Sequence, residues 1–259
     1  MKNFKYLLVS AIFGLYASHA LAEEPWTEIC IYMFAPEIRG DLGIGSVETD
    51  IDVGFDDILK NLDMGAMIYV EHRRDKWSFI ADAAYLGVSA DGSSSSNNLL
   101  TVSVDVEFSQ TLLEGFVGYR VFEKQYTDQQ ELGVDLLGGL RYNRIGFELD
   151  SSVSVLGLTN PASRERTLDW VDPVVGMRIQ YQPALKWGTS LWLDYGGFGI
   201  ESDSAYQIAA TIHYMFDNNI KVVGGWRHYY FDYEEGSGTS RVALDLDYSG
   251  PILGVAFRF

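Results

Sequence analysis

The sequence predicts an all-β chain that closes into an antiparallel up-and-down transmembrane barrel of about ten strands, with eight or twelve as the alternatives. Three observations predict it. Polar and apolar residues alternate with period two through ten segments, the signature of strands with two unlike faces. The connections between segments alternate between short and long. Aromatic residues collect near both ends of the segments, as they do where strands meet the two surfaces of a bilayer.

The first residues stand apart from this pattern. Lys2 and Lys5 precede an apolar run, Tyr6 to Tyr16, and Ala20-Leu21-Ala22 is a small-x-small cleavage site. That is an export signal over residues 1–22, leaving a single domain over 23–259. The apolar run is too short for a membrane-spanning helix, and Glu28-Ile29 before Cys30 is no lipobox. Cys30 is the only cysteine, which excludes an intrachain disulfide, and a small packed strand residue is the expected role. The net charge of −17 argues against nucleic acid as a partner.

The ten segments fall near 26–40, 64–73, 76–88, 99–122, 131–149, 168–182, 186–198, 204–216, 219–233 and 243–259. Each reaches the 9–11 residues that a tilted strand needs to cross a bilayer. Arg73-Arg74-Asp75-Lys76, Gln182 to Lys186 and Asp217-Asn218-Asn219 are short connections, and Glu123 to Gln130 is longer. Residues 41–63, 89–98, 150–167, 199–203 and 234–242 form the larger, acidic or Gly/Ser-rich set. With both termini periplasmic, an even strand number puts the first set on the periplasmic side and the second outside. Trp77, Phe122, Tyr181, Trp187, Phe216 and Phe259 then mark the periplasmic interface. Tyr85, Phe147, Trp170, Tyr195, Tyr206 and Tyr230 mark the outer one.

The polar phase of each strand predicts the lumen. Glu28, Glu71, Ser78, Asp82, Glu114, Arg120, Asp135, Arg141, Asn143, Asp172, Arg178, Gln180, Ser190, Asp194, Gln207, Thr211, His213, Arg227 and Arg258 share the inward face. Within 99–122 the polar phase changes: Thr101, Ser103, Asp105 and Glu107 are odd, whereas Glu114, Gly118 and Arg120 are even. Either a β-bulge lies near Ser109 to Leu112, or the outer half projects above the membrane, where both faces can be polar. Acids and arginines on neighbouring strands call for cross-strand pairing, since an unpaired charge in a narrow lumen is costly. The charged set Glu71, Asp82, Glu114, Arg120, Asp135, Arg141, Asp172, Arg178, Asp194, Arg227 and Arg258 is thus expected to fill the barrel as a salt-bridged plug. The alternative is a narrow path for small polar solutes or ions, gated by the same pairs.

In the longest outer connection, Phe55, Ile58, Leu59 and Leu62 recur at helical spacing behind Asp56 and Asp57, which predicts a short helix packed on the rim. Asp41, Glu48, Asp50, Asp52 and Asp63 make that segment acidic, and Glu201, Asp203, Asp232, Glu234, Glu235, Asp245 and Asp247 extend the acidic rim. No calcium-loop spacing accompanies them. No nucleophile elbow or zinc-helix motif occurs. An omptin-like protease needs paired aspartates and an Asp–His couple at the outer rim, but His72 and His213 fall towards the periplasm. His228 comes out on the lipid face beside Trp226 and Tyr230, with no serine evident next to it. The expectation is no enzyme, no catalytic residues, no cofactor and no metal.

The chain ends Phe257-Arg258-Phe259, with Leu253, Val255, Phe257 and Phe259 on one face. This resembles the C-terminal assembly signal of bacterial outer-membrane barrels, which implies the barrel-assembly machinery as a partner through Phe257 and Phe259. Phe34-Ala35-Pro36-Glu37-Ile38-Arg39-Gly40-Asp41, the segment Val53 to Asp63, and Leu136-Leu137-Gly138-Gly139-Leu140-Arg141-Tyr142 resemble proteobacterial outer-membrane barrel proteins of about this size, of the small OmpA-like and porin-like kind without a periplasmic domain. The resemblance implies a monomeric barrel in the outer membrane of a Gram-negative cell, in contact with the bilayer and lipopolysaccharide. It brings no activity and no site residues. The readings of function, in order, are a structural or surface barrel, a narrow channel, and a lipid- or peptide-hydrolysing rim enzyme.

Overall fold

A computed structural model describes residues 24–96, 100–127, 129–155, 158–216 and 219–259. The export signal at 1–22 lies outside them. The strands are β1 (Trp26–Phe34), β2 (Glu37–Ile44), β3 (Val47–Val53), β4 (Leu62–Arg74), β5 (Trp77–Ser96), β6 (Leu100–Thr127), β7 (Gln130–Val155), β8 (Leu158–Ala184), β9 (Trp187–Gly196), β10 (Ser204–Met215), β11 (Ile220–Glu235) and β12 (Val242–Arg258). One helix, α1 (Phe55–Lys60), precedes β4.

Ten of these passes make the barrel. Antiparallel neighbours run in order from β4 to β12, and β1 closes the ring by pairing with both β12 and β4. β1 and β2 are one pass: Phe34 pairs with Ile252 and Glu37 with Ser249, so the register against β12 continues across Ala35-Pro36. Pro36 has no N–H to give a ladder, which accounts for the break.

The outer side departs from expectation. The short helix predicted within residues 41–63 forms, but most of the rest of that segment is strand rather than loop. β2 turns back as β3, and only then does α1 lead into β4. The helix inserts Ile58 into the interior, 2% exposed, while Phe55 and Leu59 stay exposed on the surface. Much of the predicted loops 89–98 and 150–167 is strand as well. β6 runs 28 residues, about 90 Å of extended chain against a hydrocarbon core of about 30 Å. β4 stops pairing with β5 at Leu62 and Val88, and β9 begins pairing with β8 only at Val174 and Gly196. β5 to β8 therefore rise above the rest of the ring as a four-stranded wall.

The β-bulge expected near Ser109 to Leu112 is absent. β6 keeps one register against β5 from Leu100 to Tyr119, and against β7 from Leu100 to Arg120. Gln110, Leu112, Glu114 and Phe116 all point inward and are buried, while Glu107 and Leu113 are exposed on the outer face. What changes along β6 is the medium outside the wall, from lipid to water.

The exterior at membrane depth is apolar. Ile31, Ile68, Leu113, Leu136, Val175, Ile208, Val222 and Leu253 are exposed. Trp77, Phe122, Tyr181, Trp187, Phe216 and Phe259 are exposed at the periplasmic end, and Tyr195, Phe198 and Trp226 at the outer one. In water such a surface would aggregate; in a bilayer it is the required outer face of a closed barrel whose backbone groups are paired within the sheet. The chain is an outer-membrane β-barrel. Two residues assigned to the outer aromatic band are corrected: Trp170 is 3% exposed and Phe147 packs against the same apolar cluster, beside Phe108, both inside the barrel. Each shares the parity of its strand's inward residues, Asp172 and Arg141.

Candidate functional site: the barrel lumen

The lumen has three layers. Each follows from which residues the sequence places on the inward phase at that height.

The middle layer is ionic. In the row formed by β6, β7 and β8, Arg120, Asp135 and Arg178 are direct cross-strand neighbours. Asp135 receives Arg120 Nε at 2.5 Å, Arg73 Nη2 at 2.6 Å and Arg178 Nη2 at 2.9 Å. Arg178 also pairs with Glu71 at 2.7 Å, whose carboxylate accepts the Tyr69 hydroxyl. Arg120 donates onward to Gln180 at 2.8 Å. One turn of the ladder higher, Arg141 joins Glu114 at 2.6 Å and Asp194 at 2.9 Å, and Arg227 reaches the second oxygen of Glu114 at 3.0 Å. Asp82 takes the Tyr32 hydroxyl at 2.8 Å and lies 3.7 Å from Arg227. Arg141, Asp135 and Asp172 are all fully buried. Charge-assisted, largely convergent bonds of this kind are what lets ionised groups sit in a narrow lumen.

Every member of the predicted charged set lies on the lumen face, but not all belong to one network. Asp172 is held apart by the Trp170 indole at 3.0 Å and by the backbone N–H and hydroxyl of Ser202, at 3.1 and 2.7 Å. Arg258 sits at the periplasmic mouth, bonded to Glu28 at 3.0 Å and 4.1 Å from the Trp26 ring. Sequence reasoning missed Arg73, placed in a turn, and Lys221, left unassigned. Both share the parity of inward neighbours, Glu71 and Arg227, and that signal was available. Lys221 bonds to Glu28.

The outer layer is apolar. Tyr229, Phe231, Tyr233, Leu244, Leu246 and Tyr248 from β11 and β12 meet Leu112, Ile145, Leu168 and Trp170 from β6 to β8. Phe231, Leu244 and Ile145 have no exposure. The Trp170 and Tyr233 rings stack at 4.1 Å. Arg141 lies under this core, 4.8 Å from the Tyr229 ring. Arg166 on the tall wall reaches across the mouth to the Ser240 carbonyl at 3.3 Å.

The periplasmic layer is a cavity of about 550 Å³. Its lining includes residues at or next to the periplasmic turns, Glu24, Asp75, Glu123 and Leu185, and ends inward at Glu114, Gln207 and Arg227. A separate void of about 30 Å³ lies beyond it, among Met67, Leu86, Leu112 and Tyr229.

On the outside, at the outer interface, His228 pairs with Asp247 at 3.2 Å and stacks on Tyr206. Contrary to the sequence reading, a serine does lie beside it: β11–β12 pairing sets Ser249 opposite His228. The Ser249 hydroxyl oxygen accepts the Trp226 indole N–H at 3.0 Å. Above this, Asp50, Asp41, Asp245 and Asp232 are successive cross-strand neighbours. The Asp41 carboxyl is raised above its usual range by its hydrogen bond with Asp50, then by Asp50 and Asp245 as charges. Glu234 is held low by its bond to Arg241. No group of metal-ligating side chains is found among the described residues.

The sequence matches no family model and no curated protein. Solved structures do resemble it. The outer membrane protease OmpT of Escherichia coli superposes with a TM-score of 0.56 at 9% identity, over 91% of this chain and 97% of that one. The translocator domain of the autotransporter NalP of Neisseria meningitidis gives 0.39 at 13% identity, over 90% and 88%. The attachment invasion locus protein Ail of Yersinia pestis gives 0.36 at 12% identity, over 91% and 99%. At these identities the likeness to OmpT is one of fold.

Proposed function

We propose that the chain is a sealed outer-membrane barrel with a structural and surface role, presenting the β5–β8 wall and the acidic β2–β3 hairpin outside the cell. The observation that carries this reading is the apolar core at the outer end of the lumen. Water and ions crossing there would have to part Phe231, Leu244, Ile145 and Trp170, all at most 3% exposed. Below it, the arginines that would line a conducting path are bonded to carboxylates. The proposal therefore ranks a solute channel second and includes no catalytic activity. Single-channel recording in planar bilayers tests it. The purified barrel is expected to stay silent, with heat-modifiable migration confirming that it is folded. Discrete openings whose size changes in Arg141→Ala would overturn the reading in favour of a channel.

A lipid-hydrolysing surface is the third reading, and the His228–Asp247 pair opposite Ser249 is what favours it. It ranks low because Ser249 is bonded to Trp226 while His228 turns to Asp247 and Tyr206. Acyl release from vesicle phospholipid that disappears in His228→Ala would raise it above the structural reading.

A further inference from the structure

We propose that the periplasmic half of the lumen is a pocket for a linear alkyl diamine, holding one ammonium at Asp82 and the other among the carboxylates of the mouth. The cavity exists because the two sides of the wall differ. β4 to β8 fill their side with Arg73, Glu71, Arg178, Arg120 and Asp135. β9 to β12 present smaller side chains, Ser190, Thr211, Ala209, Val223 and Ile252, to the cavity. Its volume of about 550 Å³ is in the range of small-ligand pockets. The outer core closes it above, and the lining runs down to the periplasmic turns, so a ligand would enter from the periplasm.

The charge on the lining decides the class of ligand, because pairing its ions leaves carboxylates over. Glu71 and Asp135 share Arg73, Arg120 and Arg178, and Arg120 also holds Glu131 at 3.3 Å and Glu123 at 3.6 Å. Lys221 and Arg258 both bond to Glu28. Each of these cations is thereby matched by a carboxylate. At the inner end Arg141 and Arg227 are matched by Glu114 and Asp194. Asp82 has no cation of its own. Both its oxygens take the Tyr32 hydroxyl, at 2.8 and 2.9 Å, while Arg227 Nη1 lies 3.7 Å away and donates to Tyr32 instead. The Asp82 side chain is 15% exposed, against 2% for Glu114 and 0% for Asp194, so it is the carboxylate of this group that meets the open space. A carboxylate so placed gains most from a charged donor. At the mouth, Glu24 and Asp75 line the cavity with no ion-pair partner among the described residues, and Arg74 and Lys76, on either side of Asp75, are not part of the lining. Excess negative charge thus sits at both ends of the pocket, with Ile80, Phe116, Val223 and Ile252 between them. Trp77, at the periplasmic end of β5, is five positions from Asp82. That is about 16 Å along a strand and about 12 Å in depth once the strand is tilted. An extended diamine of eight carbons spans about 11 Å between its nitrogens, and its amines, like that of lysine, are charged at neutral pH.

The probes are 1,8-diaminooctane, 8-amino-1-octanol and 1,8-octanediol, with ligand-observed NMR on the folded barrel in a non-ionic detergent as the readout. Partition into micelles favours the diol, the uncharged member, so the pocket predicts the opposite order from the background. The diamine is expected to bind most tightly, the amino alcohol more weakly and the diol least. Asp82→Asn keeps an acceptor for Tyr32 and should weaken the diamine about tenfold through loss of one charge-assisted bond. Val223→Trp should abolish binding by filling the cavity. Heat-modifiable migration establishes that each variant is folded, and the three probes on the wild type keep the test alive if a variant does not assemble. No binding of the diamine, a diol or amino alcohol that binds as tightly, or diamine binding unchanged in Asp82→Asn or Val223→Trp would overturn the proposal. The conductance test of the sealed barrel is independent of each of these results.

Discussion

The outer and membrane-embedded parts of the barrel are built from the same strands in the same register, yet their faces have opposite chemistry. On β12 the outward residues at membrane depth are Leu253, Val255 and Phe257, and the inward ones include Arg258. Further out on the same strand, the outward residues are Asp245 and Asp247, and the inward ones are Val242, Leu244, Leu246 and Tyr248. β11 repeats this, with Val222 outside and Lys221 inside at membrane depth, then Asp232 outside and Phe231 inside further out. The strand does not turn over. Lipid demands an apolar exterior and leaves polar residues the lumen; water demands a polar exterior, and the interior becomes an ordinary dry core. The place where the two regimes meet is where the lumen closes.

The largest effects should come from breaking the ionic layer. Asp135→Ala leaves Arg73, Arg120 and Arg178 without their shared carboxylate and should destabilise the barrel by about 3–5 kcal/mol, measured by urea unfolding in lipid vesicles. In the outer layer, Phe231→Ala should lose a similar amount, about 3–5 kcal/mol, through an unfilled cavity, without any charge being disturbed. Next comes a pair of arginine substitutions on one face of β12. Leu253→Arg puts a charge into lipid at about 2–4 kcal/mol. Asp245→Arg, outside the bilayer, should instead stabilise slightly, by about 0.2–1 kcal/mol, because Asp41 and Asp232 stand directly opposite. Equal effects at the two sites would erase the distinction between the regions.

The smallest effect concerns pH and the outer acids. The raised Asp41 carboxyl means that its ionised form is disfavoured in the folded hairpin. As pH falls through that raised value, towards the usual 3.8, protonation relieves the repulsion and the β2–β3 hairpin gains stability. Glu234, held low by Arg241, works with the opposite sign: its contribution is complete above the usual 4.5 and is lost as pH falls through its lowered value. The protection of β2 and β3 amides, taken as exchange relative to the intrinsic rate at each pH, should therefore increase on mild acidification before it falls in stronger acid. Protection that falls steadily from neutral pH downward would contradict the assignment.

Most of the membrane-embedded architecture was legible in the sequence, because period-two alternation there has one meaning: polar is inside. All ten passes lie close to where the alternation put them, and Asp135, Arg141 and Arg178 sit on the face their parity gave. The outer part was not legible by the same rule. Where polarity reverses with no change of parity, Thr101 to Glu107 on β6 imitated a bulge, and Phe147 and Trp170 were assigned to an aromatic band although their parity already placed them inside. The β2–β3 hairpin was hidden for another reason. Its turn, Gly45-Ser46, sits among acids that read as loop. Gly40, with φ of +139° and no room for a Cβ against the Asp245 carbonyl, distorts the strand where alternation would have to be followed. The Ser202 bonds that hold Asp172, and the cavity, depend on contacts between distant residues that no local pattern encodes.

The claim that polarity inverts at constant register is tested most directly by a nitroxide scan along β6 from Glu107 to Tyr119, one residue at a time, in lipid vesicles. Even positions from Gln110 to Phe116 should be inaccessible throughout. Odd positions should stay accessible, exchanging contact with a water-soluble nickel reagent at Glu107 for contact with lipid-dissolved oxygen at Leu113 and Val117. An accessible face that switches from odd to even positions between Ser109 and Leu112 would contradict it and restore a bulge.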